Sequence, residues 1–141
     1  MGEVTLINSI LVTPLARITT PGGDVMHAMK KSDVEFVGFG EAYFSWINAG
    51  SVKAWKRHNR MLMNIIVPVG NVRFVFYTDE NSGFRIEEIG EDNYARLTVP
   101  PGIWFGFQSL EPKSLVMNIS SILHDPEEVD RLSVTKIKYN W

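Results

Sequence analysis

Leu62-Met63-Asn64-Ile65-Ile66-Val67-Pro68 and Val72-Arg73-Phe74-Val75-Phe76-Tyr77-Thr78 flank the turn Val69-Gly70-Asn71. Both runs are rich in β-branched and aromatic side chains, and neither shows a helical period, so they read as two strands joined by a tight turn. The pattern repeats along the chain. Pro21-Gly22-Gly23-Asp24, Asn48-Ala49-Gly50, Asp79-Glu80-Asn81-Ser82-Gly83, Gly90-Glu91-Asp92-Asn93 and Pro100-Pro101-Gly102 mark further turns. Strands are expected over 10–15, 25–29, 42–47, 52–57, 62–68, 72–78, 84–89, 95–99, 104–108 and 115–120. Short strands at such regular spacing indicate an all-β sandwich or barrel.

Composition agrees. The 141 residues suit one domain, 1–141, large enough to bury a core without staples. Hydrophobic residues make up 45% and charged residues 21%, the profile of a globular chain. The 8 Phe, 4 Trp and 4 Tyr suit strands around an apolar cavity. With 0 Cys there is no disulfide framework, thiolate metal site or thiol nucleophile. A net charge of −2 argues against a polybasic nucleic-acid binder. No signal peptide or membrane-length apolar run is visible, so a cytoplasmic location is expected, with no nucleic-acid or membrane partner.

Helical signal is confined to Asp125-Pro126-Glu127-Glu128, which has a capping residue, a proline and first-turn acids. It predicts a short helix ending near Leu132. The tail Ile137-Lys138-Tyr139-Asn140-Trp141 is apolar at alternate positions and is expected to pack onto the barrel, with 121–141 forming a C-terminal wrap.

The densest charge lies in Lys53-Ala54-Trp55-Lys56-Arg57-His58-Asn59-Arg60. Strand alternation puts Val52, Ala54, Lys56 and His58 on one face and Lys53, Trp55 and Arg57 on the other. If the small apolar pair Val52 and Ala54 marks the inner face, Lys56 and His58 enter the interior. A lysine there implies a wet, ligand-accepting cavity, in which burial lowers its pKa. The reverse orientation solvates Lys56 and His58 and buries Trp55. Pro100-Pro101-Gly102-Ile103-Trp104-Phe105-Gly106-Phe107 reads as a turn and a core strand, or as an aromatic wall on which a base or sugar could stack.

Several segments together resemble the cupins related to dTDP-4-dehydrorhamnose 3,5-epimerase. They are Ile10-Leu11-Val12-Thr13-Pro14-Leu15 with Gly22-Gly23-Asp24-Val25, the run from Gly50 to His58, Val69-Gly70-Asn71-Val72-Arg73-Phe74-Val75-Phe76-Tyr77, Val99-Pro100-Pro101-Gly102-Ile103-Trp104-Phe105-Gly106-Phe107, and the ending from the acidic stretch Asp125-Pro126-Glu127-Glu128 through Ile137-Lys138-Tyr139-Asn140-Trp141. They follow the family's order over nearly the whole chain. The resemblance implies a cupin jelly-roll barrel (a double-stranded β-helix) with a short C-terminal helical segment. It also implies a homodimer, with N-terminal strands in 1–30 that partners can exchange.

The functional positions depart from the family. Its base histidine falls at Lys56 and a second histidine at Phe105. Its acid tyrosine falls at Asn118, and a glutamine and an asparagine fall at Glu41 and Tyr43. Ser45 is kept, and the diphosphate-binding arginine becomes Lys53. The aspartate that orients the family's base has no clear counterpart around Ser133 to Thr135. Of the broader cupin metal ligands only His58 remains, so no metal and no cofactor are expected.

The reading is a divergent, metal-independent epimerase or isomerase of a nucleotide-linked 4-keto-6-deoxysugar. Lys56 and His58 are the candidate catalytic groups. Lys53, Arg57, Arg60, Glu41, Tyr43, Phe105 and Asn118 are the candidate binding residues. The alternatives are a non-catalytic sugar-nucleotide or glycan module and a structural subunit of a polysaccharide pathway.

Overall fold

A computed structural model describes residues 5–81 and 83–141. Its strands are β1 (Leu11–Pro14), β2 (Arg17–Ile18), β3 (Val25–Met26), β4 (Glu41–Asn48), β5 (Val52–His58), β6 (Met63–Val69), β7 (Asn71–Tyr77), β8 (Arg85–Gly90), β9 (Ala95–Val99), β10 (Trp104–Ser109), β11 (Lys113–Ser120) and β12 (Val129–Arg131). One five-stranded sheet has the order β1-β9-β6-β11-β4 and the other β12-β5-β10-β7-β8; β2 and β3 form a small hairpin. Every ladder within these sheets is antiparallel. This is the expected all-β jelly roll.

The two large sheets face each other because each strand keeps one apolar side. Ile47, Ile65, Val67, Leu97, Val99 and Val116 from the first sheet meet Val72, Phe74, Phe76, Ile89 and Phe105 from the second in one buried cluster. The β6–β7 turn that anchors the sequence reading is tight. Gly70 has φ +83°, and a Cβ there would collide with the Ser114 side chain, so glycine is required at this corner.

Two features differ from expectation. The Asp125 segment gives only a 3₁₀ turn, Pro126–Glu128, with the Asp125 side chain accepting from the Glu127 amide. It ends there because 129–131 extends to pair with β5 as β12, so no helix reaches Leu132. The second is a bulge in β5. Phe105 pairs with Lys56 but Gly106 pairs with Ala54, which leaves Trp55 as the extra residue.

The bulge re-aims the strand. Ala54 and Trp55 turn to the outer face and pack with Trp104, Val75 and Ile137 in a second apolar cluster. The C-terminal segment seals this face. Trp55 exchanges backbone hydrogen bonds with Leu132 at 3.0 and 3.1 Å. Its indole N–H donates to the Val134 carbonyl at 3.2 Å. The Trp141 ring lies 5.5 Å from the Trp55 ring, and Tyr139 lies 4.9 Å from Trp141. The expected C-terminal wrap is therefore an aromatic strap on the outside of the second sheet.

Arg96 of β9 is a buried cation on the opposite side of the molecule. It pairs with Glu35 at 2.7 Å and Asp33 at 3.3 Å and donates to the Ala28 carbonyl at 2.7 Å. These bonds hold the segment before β4 against the first sheet.

Candidate active site

A cavity of about 460 Å³ opens between the two sheets, where the edge strands β4 and β12 leave the sandwich unsealed. Tyr43, Ser45, Val116 and Asn118 line it from the first sheet. Lys53, Lys56, His58, Phe105, Phe107 and Arg131 line it from the second. The volume lies within the range of small-molecule sites.

Simple alternation does not place these groups correctly, and the bulge explains why. Opposed residues in an antiparallel ladder share a face. Lys56 is opposite Phe105 and Lys53 is opposite Phe107, so both lysines join the inner aromatics. Ala54, expected inside, lies outside beneath Trp141. Trp55 is buried, as the reversed orientation required, while Lys56 and His58 face inward, as the first required. One extra residue allows both.

His58 is the deepest polar group of the cavity, 4% exposed. Its Nδ1 lies 2.8 Å from Oε2 of Glu128, which is 3% exposed. The other oxygen of Glu128 accepts from the Met61 amide at 2.9 Å. The 3₁₀ turn before β12 brings Glu128 here, and the backbone bond from the Asn59 amide to the Glu128 carbonyl, at 2.8 Å, fixes it. The Phe105 ring stacks on the imidazole at 6.0 Å between centroids.

Burial pushes the His58 pKa below its ordinary 6.5. The hydrogen bond and charge of Glu128 oppose that shift, and Lys56 and Arg131 reinforce it. The imidazole is therefore neutral at neutral pH. With Nδ1–H donated to Glu128, its lone pair sits on Nε2, which has no protein partner among the described residues. This is the arrangement of a general base held in one tautomer.

Lys56 is also held below its ordinary 10.5, by burial first and then by the Arg131 and Lys53 charges, with Glu128 opposing. Lys53 and Arg131 lie at the exposed mouth. Lys53 Nζ donates to the Trp46 carbonyl at 3.1 Å. Neither Lys53, Lys56 nor Arg131 has a carboxylate ion-pair partner among the described residues. Three cations without counter-ions around one opening attract a polyanion.

Of the sequence-based candidates, Lys53, Lys56, His58, Tyr43, Phe105 and Asn118 converge on this cavity. Arg57, Arg60 and Glu41 do not line it. Arg57 points outward, bonded to Asp130 at 2.7 Å and lying 4.6 Å over the Trp104 ring. Arg60 pairs with Asp125 at 2.6 Å on the surface. Glu41 accepts from the His124 amide at 2.7 Å. Sequence reasoning missed Glu128 and Arg131. In the sequence Glu128 reads as a first-turn acid, and the family's orienting aspartate falls a few residues further on, around Ser133 to Thr135. The one available signal is that this acidic run lies within the C-terminal wrap, in the stretch that resembles the family's terminal acidic segment.

No family model matches the chain. A curated relative, the probable low-salt glycan biosynthesis epimerase Agl13 of Haloferax volcanii, is 29% identical over 96 residues, 63% of this chain and 62% of that protein. The match thus spans less than two thirds of that relative's length. A sugar 3,4-ketoisomerase, QdtA from Thermoanaerobacterium thermosaccharolyticum, solved with TDP, superposes with a TM-score of 0.78 over 91% of each chain at 14% identity, a likeness of fold. A dTDP sugar isomerase from Desulfovibrio desulfuricans superposes with a TM-score of 0.86, 34% identical, over 91% of this chain and 86% of that one. Identity at that level over nearly the full length joins sequence to fold: the chain belongs to the family of this dTDP-sugar isomerase, whose cupin fold dTDP-4-dehydrorhamnose 3,5-epimerases share.

Proposed function

We propose that this protein is a sugar-nucleotide isomerase or epimerase that acts on a nucleotide-linked 4-keto-6-deoxysugar, with His58 as the base. The observation that carries the reading is the buried His58–Glu128 pair facing the cavity. A carbon-bound proton beside a ketone is removed by a neutral base within reach, as the electron pair moves to the carbonyl oxygen. Glu128 holds the ring and stabilises the imidazolium that forms. The mouth cations Lys53 and Arg131 suit the diphosphate, with Lys56 directly opposite Arg131 in the β5–β12 ladder and His58 deeper. The charge gradient thus orients the ligand with the diphosphate outward and the sugar inward. Relatives of the same fold are crystallised with TDP and with TDP-4-keto-6-deoxyglucose. We place the protein in the cytoplasm, working as a homodimer.

The test is incubation with dTDP-4-keto-6-deoxyglucose in deuterated water, followed by NMR of the sugar. Deuterium is expected beside the ketone, at a rate that His58→Gln lowers by about 10²–10⁴-fold. A protein that binds TDP but never labels the sugar is a binding module and contradicts the proposal.

A further inference from the structure

β12 is the edge of the second sheet, three residues long and paired on one side only, with β5. Its ladder holds one attractive and one repulsive side-chain pair. Asp130 is opposite Arg57, and the two form an ion pair at 2.7 Å on the outer face. Arg131 is opposite Lys56, and both line the cavity. Like charges directly opposite each other destabilise an antiparallel pair. After burial, the Arg131 charge is the largest influence on Lys56 and pushes its pKa down, so the repulsion is felt across the ladder. Lys53 adds a third charge at the same mouth.

The segment around Arg131 is anchored at both ends. Just before β12, Glu128 bonds to His58 Nδ1 at 2.8 Å and accepts from the Met61 amide at 2.9 Å; its carbonyl accepts from the Asn59 amide at 2.8 Å. Just after β12, Leu132 exchanges backbone bonds with Trp55 at 3.0 and 3.1 Å, and the Val134 carbonyl accepts the Trp55 indole N–H at 3.2 Å. The repulsive pair lies between these anchors and faces the site. A diphosphate set between Lys56 and Arg131 replaces one repulsion with two charge-assisted contacts, and both tie β12 to β5.

We propose that a diphosphate is the missing counter-charge of the β5–β12 ladder, so that its binding fastens β12 and the C-terminal strap, and with them the Glu128 carboxylate behind His58. This rests on the functional reading above and deepens it, because it gives the nucleotide end of the ligand a part in assembling the base at the sugar end. In the free protein the repulsion favours local opening of β12. An anion that bridges the two strands binds the closed ladder and not the open one, and so shifts that equilibrium. Arg131 is a positioning residue in this respect, since it acts on His58 through Glu128.

The experiment is hydrogen exchange of the full chain, read by mass spectrometry over 129–134 and at the Asn59 and Met61 amides that bond to Glu128. TDP or inorganic pyrophosphate, at about ten times the dissociation constant found by calorimetry, is expected to slow exchange in both regions about tenfold. Thymidine, which lacks the charge, is expected to leave them unchanged. Arg131→Glu puts a carboxylate opposite Lys56. Its β12 is expected to exchange more slowly than the wild type in the free protein, and TDP is expected to add no protection. A residue that merely held the strap in place gives the opposite sign. Arg131→Gln is expected to move exchange in the same direction by less, and thermal melting checks that both variants fold. Three results overturn the coupling alone: TDP binds without slowing these amides, thymidine slows them equally, or β12 of free Arg131→Glu exchanges as fast as the wild type or faster. A folded wild type that binds neither TDP nor pyrophosphate overturns the functional reading, and the coupling with it.

Discussion

His58 and Lys56 are two residues apart and face the same cavity, yet only His58 has a carboxylate bonded behind it. That difference is the ground for proposing His58 rather than Lys56 as the base. A lysine at this place must lose an ammonium proton before it can act, whereas the buried imidazole is already neutral. The lowered pKa of His58 has a consequence for stability with a definite sign. The unfolded chain carries this histidine at its ordinary 6.5, and the folded protein holds it lower. Between those values the unfolded state binds more protons, so folding stability falls as the pH drops below about 6.5. His58→Gln is expected to flatten that part of the stability profile, read by urea denaturation at a series of pH values. The wild-type acid limb of kcat/KM should likewise lie below 6.5, because the free enzyme needs the neutral ring.

At the level of elements, the β5 bulge and the C-terminal strap depend on each other. The bulge turns Trp55 outward, and the strap gives it a cover. Gly106 is the contact between them. A Cβ there would sit 2.5 Å from the Ala54 Cβ and 3.0 Å from the Trp141 ring. Gly106→Val is therefore expected to lift Trp141 and expose the aromatic cluster. The result should be faster proteolysis near the C-terminus, altered tryptophan fluorescence and a stability loss of about 1–3 kcal/mol. Because Trp55 adjoins Lys56 in the chain, the same variant should also weaken nucleotide binding. Unchanged fluorescence and proteolysis would contradict this account of the strap. The expected helix at 125–132 is a lesson of the same kind. Its cap and proline are correctly placed, but the backbone beyond Glu128 finds better partners on β5 than a helix could supply.

Across the whole molecule, the cavity lies where the edges of two sheets fail to meet, so one end of the sandwich is a site rather than a seal. The first sheet and its approaches also expose large apolar groups: Phe44 is 61% exposed, Phe39 62% and Val34 86%. Such a concentration on an edge strand and its flank is a surface that proteins cover. Multi-angle light scattering is expected to give twice 16.0 kDa for the protein. Phe44→Glu should shift it toward the monomer; a wild-type monomer at all concentrations would contradict the dimer.

The all-β class, the places of the turns and the choice of strands follow from local pattern, because β-branched and aromatic runs between glycine and proline turns leave few other solutions. The segments carrying the family resemblance lie in order along the chain; Lys53, Lys56, His58 and Phe105 could be singled out from them, and Tyr43 and Asn118 from the family positions that fall between them. Other features belong to the fold alone. Which way Lys53 and Lys56 point depends on a single extra residue in β5, a register matter set by pairing with β10. The carboxylate on His58 comes from 70 positions further along the chain. No periodicity links residues so far apart, since only the closing of one sheet edge by β12 brings them together. Arg57 and Arg60 are cationic like Lys53, but tertiary pairing with Asp130 and Asp125 holds them outside the cavity. Local sequence selects strands because propensity acts over a few residues. The site needed the fold because its hydrogen bonds, His58 to Glu128 and Asn118 to Tyr43, join residues 70 and 75 positions apart.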